Sequence, residues 1–305
     1  MKKTIKYTSL SSHLSELFFS LSLVFTMFSF SSCEEKIDIN LDQGTSQLTV
    51  DAWITDKPGS QIIKLTKTAD YFENAPSPAA TGATVTITDD SGNVFSFLDN
   101  NGDGNYTWLP GAADTLARVG HKYTLDVFYN GEHYVSETVM QPAVVMDSLT
   151  QKKEINGLGT DSVIRAEFWA RDNYGREDFY WIRTYRNGSF NNKPSGILTA
   201  WESAFGNGDG FYFIVPYRQG INDFDNPFVP GDVVKVEIYG INMASYNFLN
   251  QAQSQMINGG LFATPPYNVI TNIKNADPSA TKTEQQAVGW FEVSGTSFIQ
   301  SIIKP

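Results

Sequence analysis

Apolar and polar residues alternate one by one along much of the first half of the chain. Leu48, Val50 and Ala52 would share one face of a strand, because successive side chains of a strand point to opposite sides. Asn130-Gly131 separates two such runs and predicts a tight hairpin, since both residues tolerate a positive φ. Seven strands are predicted between residues 47 and 140: Leu48–Thr55, Gln61–Ala69, Ala83–Thr88, Val94–Leu98, Asn105–Leu109, Tyr123–Tyr129 and Glu132–Met140. Their number and spacing predict an immunoglobulin-like β-sandwich over residues 47–142.

The second half, residues 143–305, keeps the strand pattern but interrupts it once. Apolar residues at steps of three and four after Asn242 predict a helix near 242–258, with Asn242 as its N-cap and Gly259-Gly260 as its stop. The predicted strands are Ser162–Ala170, Phe179–Arg186, Phe211–Tyr217, Val233–Tyr239, Gly289–Val293 and Phe298–Ile303. We expect a second β-rich domain, a sheet or an open barrel with one or two helices.

An apolar run at the start of the chain has a different character. Residues 17–30 are too few to cross a bilayer as a helix, which needs about 20 apolar residues, and Lys2 and Lys3 precede them. A basic start, a short apolar run and small residues predict a secretory signal over residues 1–32. Ser31-Ser32-Cys33 resembles the lipobox of bacterial lipoproteins, so we expect Cys33 to be acylated and residues 33–46 to form a lipidated tether. Two alternatives are an ordinary secreted protein and an uncleaved membrane helix.

Composition and charge narrow the class of protein. Removing residues 1–32 would leave 273 of the 305 residues and change the net charge from −11 to −13, because three lysines and one glutamate are lost. Such an acidic chain does not suit nucleic acid, whose phosphates need Lys and Arg. Cys33 is the single cysteine, so the domains after it have no disulfide or cysteine-based metal site.

A set of segments distributed over the chain carries a resemblance. They are the LTVDAWIT strand, the NGDGNY turn, the GHKYTLDVFYNGEHYVSET hairpin, QPAVVMDSL and VGWFEVSG, together with Cys33. The chain resembles a family of outer-membrane lipoproteins of the Bacteroidota, domain of unknown function 4249. The resemblance implies a lipid-anchored protein of the outer membrane, on its extracellular face, that works beside a TonB-dependent transporter. It implies no catalytic residues.

One loop has the composition of a calcium site. Asp99, Asn101 and Asp103 place oxygen-bearing side chains at alternate positions before Gly104, as in the first half of a calcium-binding loop. The twelfth position of the loop, where such loops have Glu, is Pro110. Asp, Asn and Gly also favour an ordinary tight turn. We therefore predict a hairpin turn and keep Ca²⁺, with those three residues as ligands, as the alternative; no other cofactor is expected.

Tryptophans near carboxylates form a second group of candidates. Trp169, Trp181 and Trp201 are typical of a stacking surface for a glycan or peptide, and equally of a β-sheet core. The neighbouring carboxylates that could serve a hydrolase as acid and base are Glu167, Asp172, Asp178 and Glu202. The histidines of the domains, His121 and His133, have no metal-ligand spacing, and no Gly-x-Ser-x-Gly motif accompanies them.

These observations predict a binding protein rather than an enzyme. We expect an accessory subunit that captures a ligand for a TonB-dependent transporter or controls its entry. The first alternative is a carboxylate-type hydrolase that acts on a glycan or peptide, and the second is a structural module of the envelope.

Overall fold

The computed structural model describes residues 45–69, 75–111, 115–155, 162–201, 209–259, 263–265 and 267–305. The predicted signal, Cys33 and most of the tether lie outside the described residues, as does Glu202. In chain order the elements are β1 Leu48–Thr55, β2 Gln61–Lys67, β3 Thr84–Asp89, β4 Val94–Phe97, β5 Asn105–Trp108, β6 Lys122–Tyr129, β7 Glu132–Val139, β8 Met146–Ile155, β9 Ser162–Ala170, β10 Phe179–Arg186, β11 Ser189–Phe190, β12 Leu198–Trp201, α1 Val215–Gln219, β13 Val233–Ile241, α2 Met243–Met256, β14 Lys274–Asn275, β15 Ala287–Ser294 and β16 Thr296–Ile302.

The first two sheets enclose one core, as a β-sandwich does. One sheet has the order β15-β1-β2-β5, and the other has the order β14-β7-β6-β3-β4. The alternate residues predicted to share a face, such as Val50 and Ala52 of β1, are buried in this core. With 47% of residues in strands and 11% in helices, the expected mostly-β class is confirmed.

The hairpin between β6 and β7 is built as its sequence predicts. Asn130 has a φ of 51° and Gly131 a φ of 84°, so both central residues are in the left-handed region. Tyr129 pairs with Glu132 directly beside this turn. The two-residue turn therefore sets the register in which β6 and β7 pair.

A strand from the end of the chain completes the first sheet. β15 runs parallel to β1, with Gly289 opposite Val50 and Phe291 opposite Ala52. The side chains of Phe291 and Val293 lie in the first core. The chain therefore returns to the first core after it has built the second; the predicted domain boundary at residues 142–143 stays a prediction.

The second half forms a five-stranded sheet, β11-β10-β13-β16 with β12 beside β10, and a separate pair, β8-β9. One face of β10 and β13 forms a second core together with residues of β9, among them Phe168.

The predicted helix is confirmed as α2, and the side chain of Asn242 caps it by accepting a hydrogen bond from the Ser245 N–H at 2.8 Å. α2 covers part of the opposite face of the sheet with Tyr246, Phe248 and Leu249.

The predicted strand Phe211–Tyr217 is wrong. Tyr212 forms only an isolated bridge with Arg171, and the chain then enters the short helix α1. Pro216 lies in the first turn of α1, where its missing N–H costs nothing and its fixed φ suits a helix. Apolar residues of this segment pack in the second core, although they lie in a loop and a helix. In so short a segment, the spacing of apolar residues does not distinguish these structures from a strand.

Candidate functional site

The side of the second sheet that faces away from the second core carries charged and aromatic residues. On β10 they are Trp181, Arg183 and Tyr185, and on β13 they are Lys235, Glu237 and Tyr239. The register places Trp181 opposite Tyr239, Arg183 opposite Glu237, and Tyr185 opposite Lys235. Alternation along each strand and the register across the strands thus gather these six side chains on one surface.

Aromatic rings surround the guanidinium group of Arg183. Its central carbon lies 4.2 Å from the ring centroid of Phe190, 4.7 Å from that of Trp181 and 5.2 Å from that of Tyr239. Arg183 also donates a hydrogen bond from Nη1 to the Tyr239 hydroxyl at 3.2 Å. A cation held over several ring faces is attracted by their negative quadrupoles, so the position of Arg183 is defined before any ligand arrives.

Glu237 is the carboxylate at the centre of this surface. Lys57 lies 2.8 Å and Lys235 2.5 Å from its oxygens, and the hydroxyls of Tyr185 and Tyr239 donate to it at 3.0 and 3.1 Å. Burial opposes ionisation of Glu237, but the hydrogen bonds from Lys235 and Lys57 outweigh it and lower its pKa to about 2. Glu237 is therefore charged at neutral pH and fixes both lysine side chains.

The outer part of this surface is accessible to solvent. The side chains of Lys57 and Lys235 are 33% and 31% exposed, and Phe298 of β16, opposite Glu237, is 63% exposed. The Lys235 ammonium lies 4.9 Å from the ring centroid of Phe298. We call the surface of Lys57, Arg183, Lys235, Glu237, Trp181, Tyr185, Phe190, Tyr239 and Phe298 the cationic face.

Asp51 of β1 borders the cationic face. Its side chain is exposed, yet the surrounding protein desolvates it and raises the pKa of its carboxyl, an effect that Lys64 and Arg183 oppose. The two neighbouring cations show that the first and second sheets meet near this point.

The three tryptophans predicted as a stacking surface do not lie together. Trp181 is on the cationic face but is only 8% exposed, with its ring 4.7 Å from that of Trp53. Trp201 of β12 stacks on Phe179 at 5.9 Å, at the end of the sheet that α2 covers. Trp169 belongs to β9, where the Arg218 guanidinium lies 3.8 Å from its ring centroid. Of the three, only Trp181 contributes to the cationic face.

The described carboxylates predicted for a hydrolase each have a partner. Glu167 lies 2.8 Å from Arg218 Nε, and Asp178 lies 2.6 Å from Arg176 Nε. Asp172 accepts a hydrogen bond from the hydroxyl of Tyr180. Burial raises the pKa of Asp178, while Arg176 opposes that effect. These contacts hold the three carboxylates inside the fold, and the hydrolase alternative stays a prediction.

The side chain of Asp99 organises the candidate calcium loop. Its carboxylate accepts hydrogen bonds from the backbone N–H groups of Gly102, Asp103 and Gly104 at 2.8, 3.2 and 3.0 Å. Asp103 in turn accepts from the Asn105 N–H at 2.9 Å. Both carboxylates thus accept hydrogen bonds from backbone N–H groups of their own loop, as Asp side chains in tight turns do, and the choice between a turn and a Ca²⁺ site stays a prediction. Among the described residues no group of three His, Cys, Asp or Glu side chains is placed to hold a metal ion.

The loop offers a direct test of turn against cation site. We expect Asp99→Ala to lower the free energy of unfolding by about 1–2 kcal/mol, because three backbone donors lose their acceptor. The loss should be the same in EDTA and in millimolar Ca²⁺, as measured by urea unfolding. Asn101→Ala, which removes a candidate ligand but no such acceptor, is the control. A calcium-dependent stabilisation of the wild type that Asp99→Ala abolishes would establish the cation site instead.

The two histidines are placed in separate pairs. His121 Nδ1 lies 2.7 Å from Asp90, and His133 Nε2 lies 2.8 Å from Asp126. Both pairs are on the second sheet of the sandwich or its edge, at positions open to solvent.

In the described part of the chain, no helix combines the length and the hydropathy needed to cross a bilayer.

Sequence reasoning did not single out Arg183, Lys235, Glu237 or Lys57. A signal was present: Trp-x-Arg-x-Tyr in β10 alternates with Ile182 and Thr184, and Lys-x-Glu-x-Tyr in β13 alternates with Val236 and Ile238. Two strands of that pattern predict a charged and aromatic face once they pair. Their register and the approach of Lys57 from the loop after β1 were needed to bring the four residues together.

Comparison with known proteins gives one family. The family model described as Domain of unknown function (DUF4249) matches residues 34–298, a range that includes every residue of the cationic face, with Phe298 as its last position. No curated protein is significantly similar to the chain. Because the match extends over most of the 305 residues, the chain belongs to the DUF4249 family.

Proposed function

We propose that the protein is an outer-membrane lipoprotein, anchored through Cys33, that captures a ligand for a TonB-dependent transporter. The observation that carries the proposal is the cationic face, an accessible surface with fixed cations and ring faces. Such surfaces suit binding because their charged groups are already positioned and lose little freedom when a ligand arrives. The lipobox-like Ser31-Ser32-Cys33 supports the anchor.

The position of the matched region supports the same arrangement. It begins at residue 34, directly after Cys33, so acylation of that cysteine would attach the whole family domain to the membrane surface. Each buried methylene of an acyl chain contributes about 0.8 kcal/mol, and two or more chains anchor a protein stably. Confinement to the membrane raises the effective concentration of the transporter, so a weak contact suffices for capture and transfer.

The anchor is tested by Cys33→Ser. We expect the variant to move from the membrane fraction to the soluble fraction of cells, because serine has no sulfur atom to form the thioether that carries the acyl chains. Ser32→Ala keeps a small residue beside the cysteine and is the matched control, which should stay with the membrane. Mass spectrometry of the mature N-terminus should find acyl chains on the wild type and on Ser32→Ala. A Cys33→Ser protein that stays with the membrane although mass spectrometry shows residues 1–32 to be removed would contradict the proposed anchor.

The partner is tested by co-purification after mild detergent extraction. We expect a TonB-dependent transporter to accompany the tagged wild-type protein and to be identified by mass spectrometry. The soluble Cys33→Ser protein should capture much less of it, since confinement is lost. A wild-type protein that purifies alone under conditions that preserve other transporter complexes would contradict the proposal and favour the structural envelope module.

A further inference from the structure

The cationic face carries more positive than negative charge although the chain as a whole is acidic. Lys57, Arg183 and Lys235 surround the single carboxylate Glu237, in a chain with a net charge of −11. These four groups sum to two positive charges, of which the bordering Asp51 carboxylate offsets one when it is ionised. We propose that the cationic face binds an anionic saccharide, a chain of sugar rings that carries carboxylate groups; this rests on the proposed ligand capture.

The cations are held where a ligand can reach them. Glu237 and the hydroxyls of Tyr185 and Tyr239 fix the inner side of the cluster, while about a third of the Lys57 and Lys235 side chains stays in solvent. An ammonium group has three N–H donors, so each lysine can keep its contact with Glu237 and still donate to a ligand carboxylate. The ion pairs thus orient the lysine side chains and leave N–H donors free for a ligand.

The aromatic residues match the apolar faces of sugar rings. Phe190 lies on β11, beside β10, and Phe298 lies on β16, beyond β13, so three strand spacings separate the two rings. Neighbouring strands are about 4.8 Å apart, a spacing comparable to the length of one sugar ring. A saccharide that crosses the strands can stack its C–H faces on Phe298 and Phe190 while its carboxylates meet Lys235 and Arg183.

Asp51 supplies an acceptor at the border of the same face. Its carboxylate makes no hydrogen bond or ion pair within the described part of the chain, although the surrounding protein partly desolvates it. Sugar hydroxyls are hydrogen-bond donors and would satisfy it, whereas a second carboxylate would be repelled. Asp51 therefore favours a ligand that has hydroxyl groups as well as acidic ones, as an acidic saccharide has.

The proposal is tested by titration calorimetry of the purified protein with a galacturonate tetramer and with a neutral galactose tetramer. We expect the acidic tetramer to bind at least tenfold more tightly, with an affinity that falls as salt rises. Lys235→Gln should weaken its binding about tenfold, the loss expected for one charged contact. Lys152→Gln removes an exposed lysine of β8 that pairs with Glu154, outside the cationic face, and is the matched control.

A second pair of variants tests the ring faces without touching the buried carboxylate. Phe298→Ser should weaken binding of the acidic tetramer severalfold, and Phe211→Ser, at a residue that is 62% exposed but outside the cationic face, should not. Because Phe298 is 63% exposed, its replacement leaves the cores intact. Circular dichroism confirms that each variant is folded before the titration.

Several results would overturn the proposal. They are the absence of heat with the acidic tetramer up to millimolar concentration, equal binding of the neutral tetramer, and equal affinities of Lys235→Gln and Lys152→Gln. Loss of transporter co-purification in Lys235→Gln, with saccharide binding unchanged, would identify the face as a protein-docking surface instead. A protein that co-purifies with a transporter but binds no acidic saccharide contradicts this inference alone, and one that binds the saccharide but no transporter contradicts the proposed function alone.

Discussion

Gly289→Ala is expected to unfold much of the first sandwich. Gly289 has a φ of 113°, and a Cβ atom on it would lie 1.9 Å from the carbonyl oxygen of Val50. Strain at such a φ costs about 1–3 kcal/mol by itself. The clash adds to it, because β15 must move away from β1 and break the parallel ladder that completes the first core. We expect a total loss of more than about 4 kcal/mol in the free energy of unfolding.

Gly59→Ala separates the two causes. Gly59 has a φ of 106°, close to that of Gly289, but no atom lies within 4 Å of the Cβ that it would gain. We expect Gly59→Ala to cost about 1 kcal/mol, the strain without the clash. Equilibrium urea unfolding, followed by circular dichroism, measures both variants. Similar losses in the two would show that β15 does not pack against β1 as closely as the structure has it.

Glu292→Gln is expected to change how stability depends on pH. Glu292 of β15 is 0% exposed, and no cation of the described residues forms an ion pair with it. It accepts hydrogen bonds from Asn242 at 2.7 Å, from Thr138 at 3.2 Å and from Ser245. Burial raises the pKa of its carboxyl to about 8, although these hydrogen bonds oppose the effect. The folded protein therefore holds a proton on Glu292 at neutral pH.

The direction of the effect follows from proton binding. Between the ordinary pKa of 4.5 and the raised pKa of about 8, the folded state binds one proton more than the unfolded state does. The contribution of Glu292 to stability is therefore fully present below pH 4.5 and is lost as the pH rises towards 8, by up to about 1.4 kcal/mol per unit. Glutamine has the shape of the protonated acid: its carbonyl oxygen can accept from Asn242 and Ser245, and its amide group can donate to the Thr138 hydroxyl. Because it cannot ionise, Glu292→Gln should remove this loss.

Urea midpoints of the wild type and Glu292→Gln, measured from pH 5 to pH 9, test the prediction. We expect nearly equal free energies of unfolding at pH 5 and a variant that is more stable by several kcal/mol at pH 8 to 9. Glu284→Gln, at an exposed glutamate, is the control and should follow the wild type at every pH. Parallel curves for the wild type and Glu292→Gln would mean that Glu292 is ionised in the fold.

The hydrogen bonds around Glu292 show why the sequence predicted helix α2 but not the residues that contact it. The sequence predicted α2 and its N-cap Asn242, since both depend on neighbouring residues. It gave no sign that Asn242 also donates to Glu292, 50 residues away, or that Ser245 accepts a hydrogen bond from the Trp290 indole at 2.7 Å. The alternating pattern predicted that Glu292 lies in a strand. Whether that side of the strand is buried depends on the elements that pack against it, which the pattern does not show.

The amino-acid sequence alone determined the elements whose causes are local. The strands of the first half, the turn at Asn130-Gly131 and helix α2 follow from periodicity, turn chemistry and capping, which act between residues close in the chain. Only the tertiary structure decided that β15 joins β1, and that Lys57 meets Arg183 and Glu237 on one face. Those contacts join residues far apart in the chain, where packing, register and charge outweigh local preference, so no local pattern could have specified them.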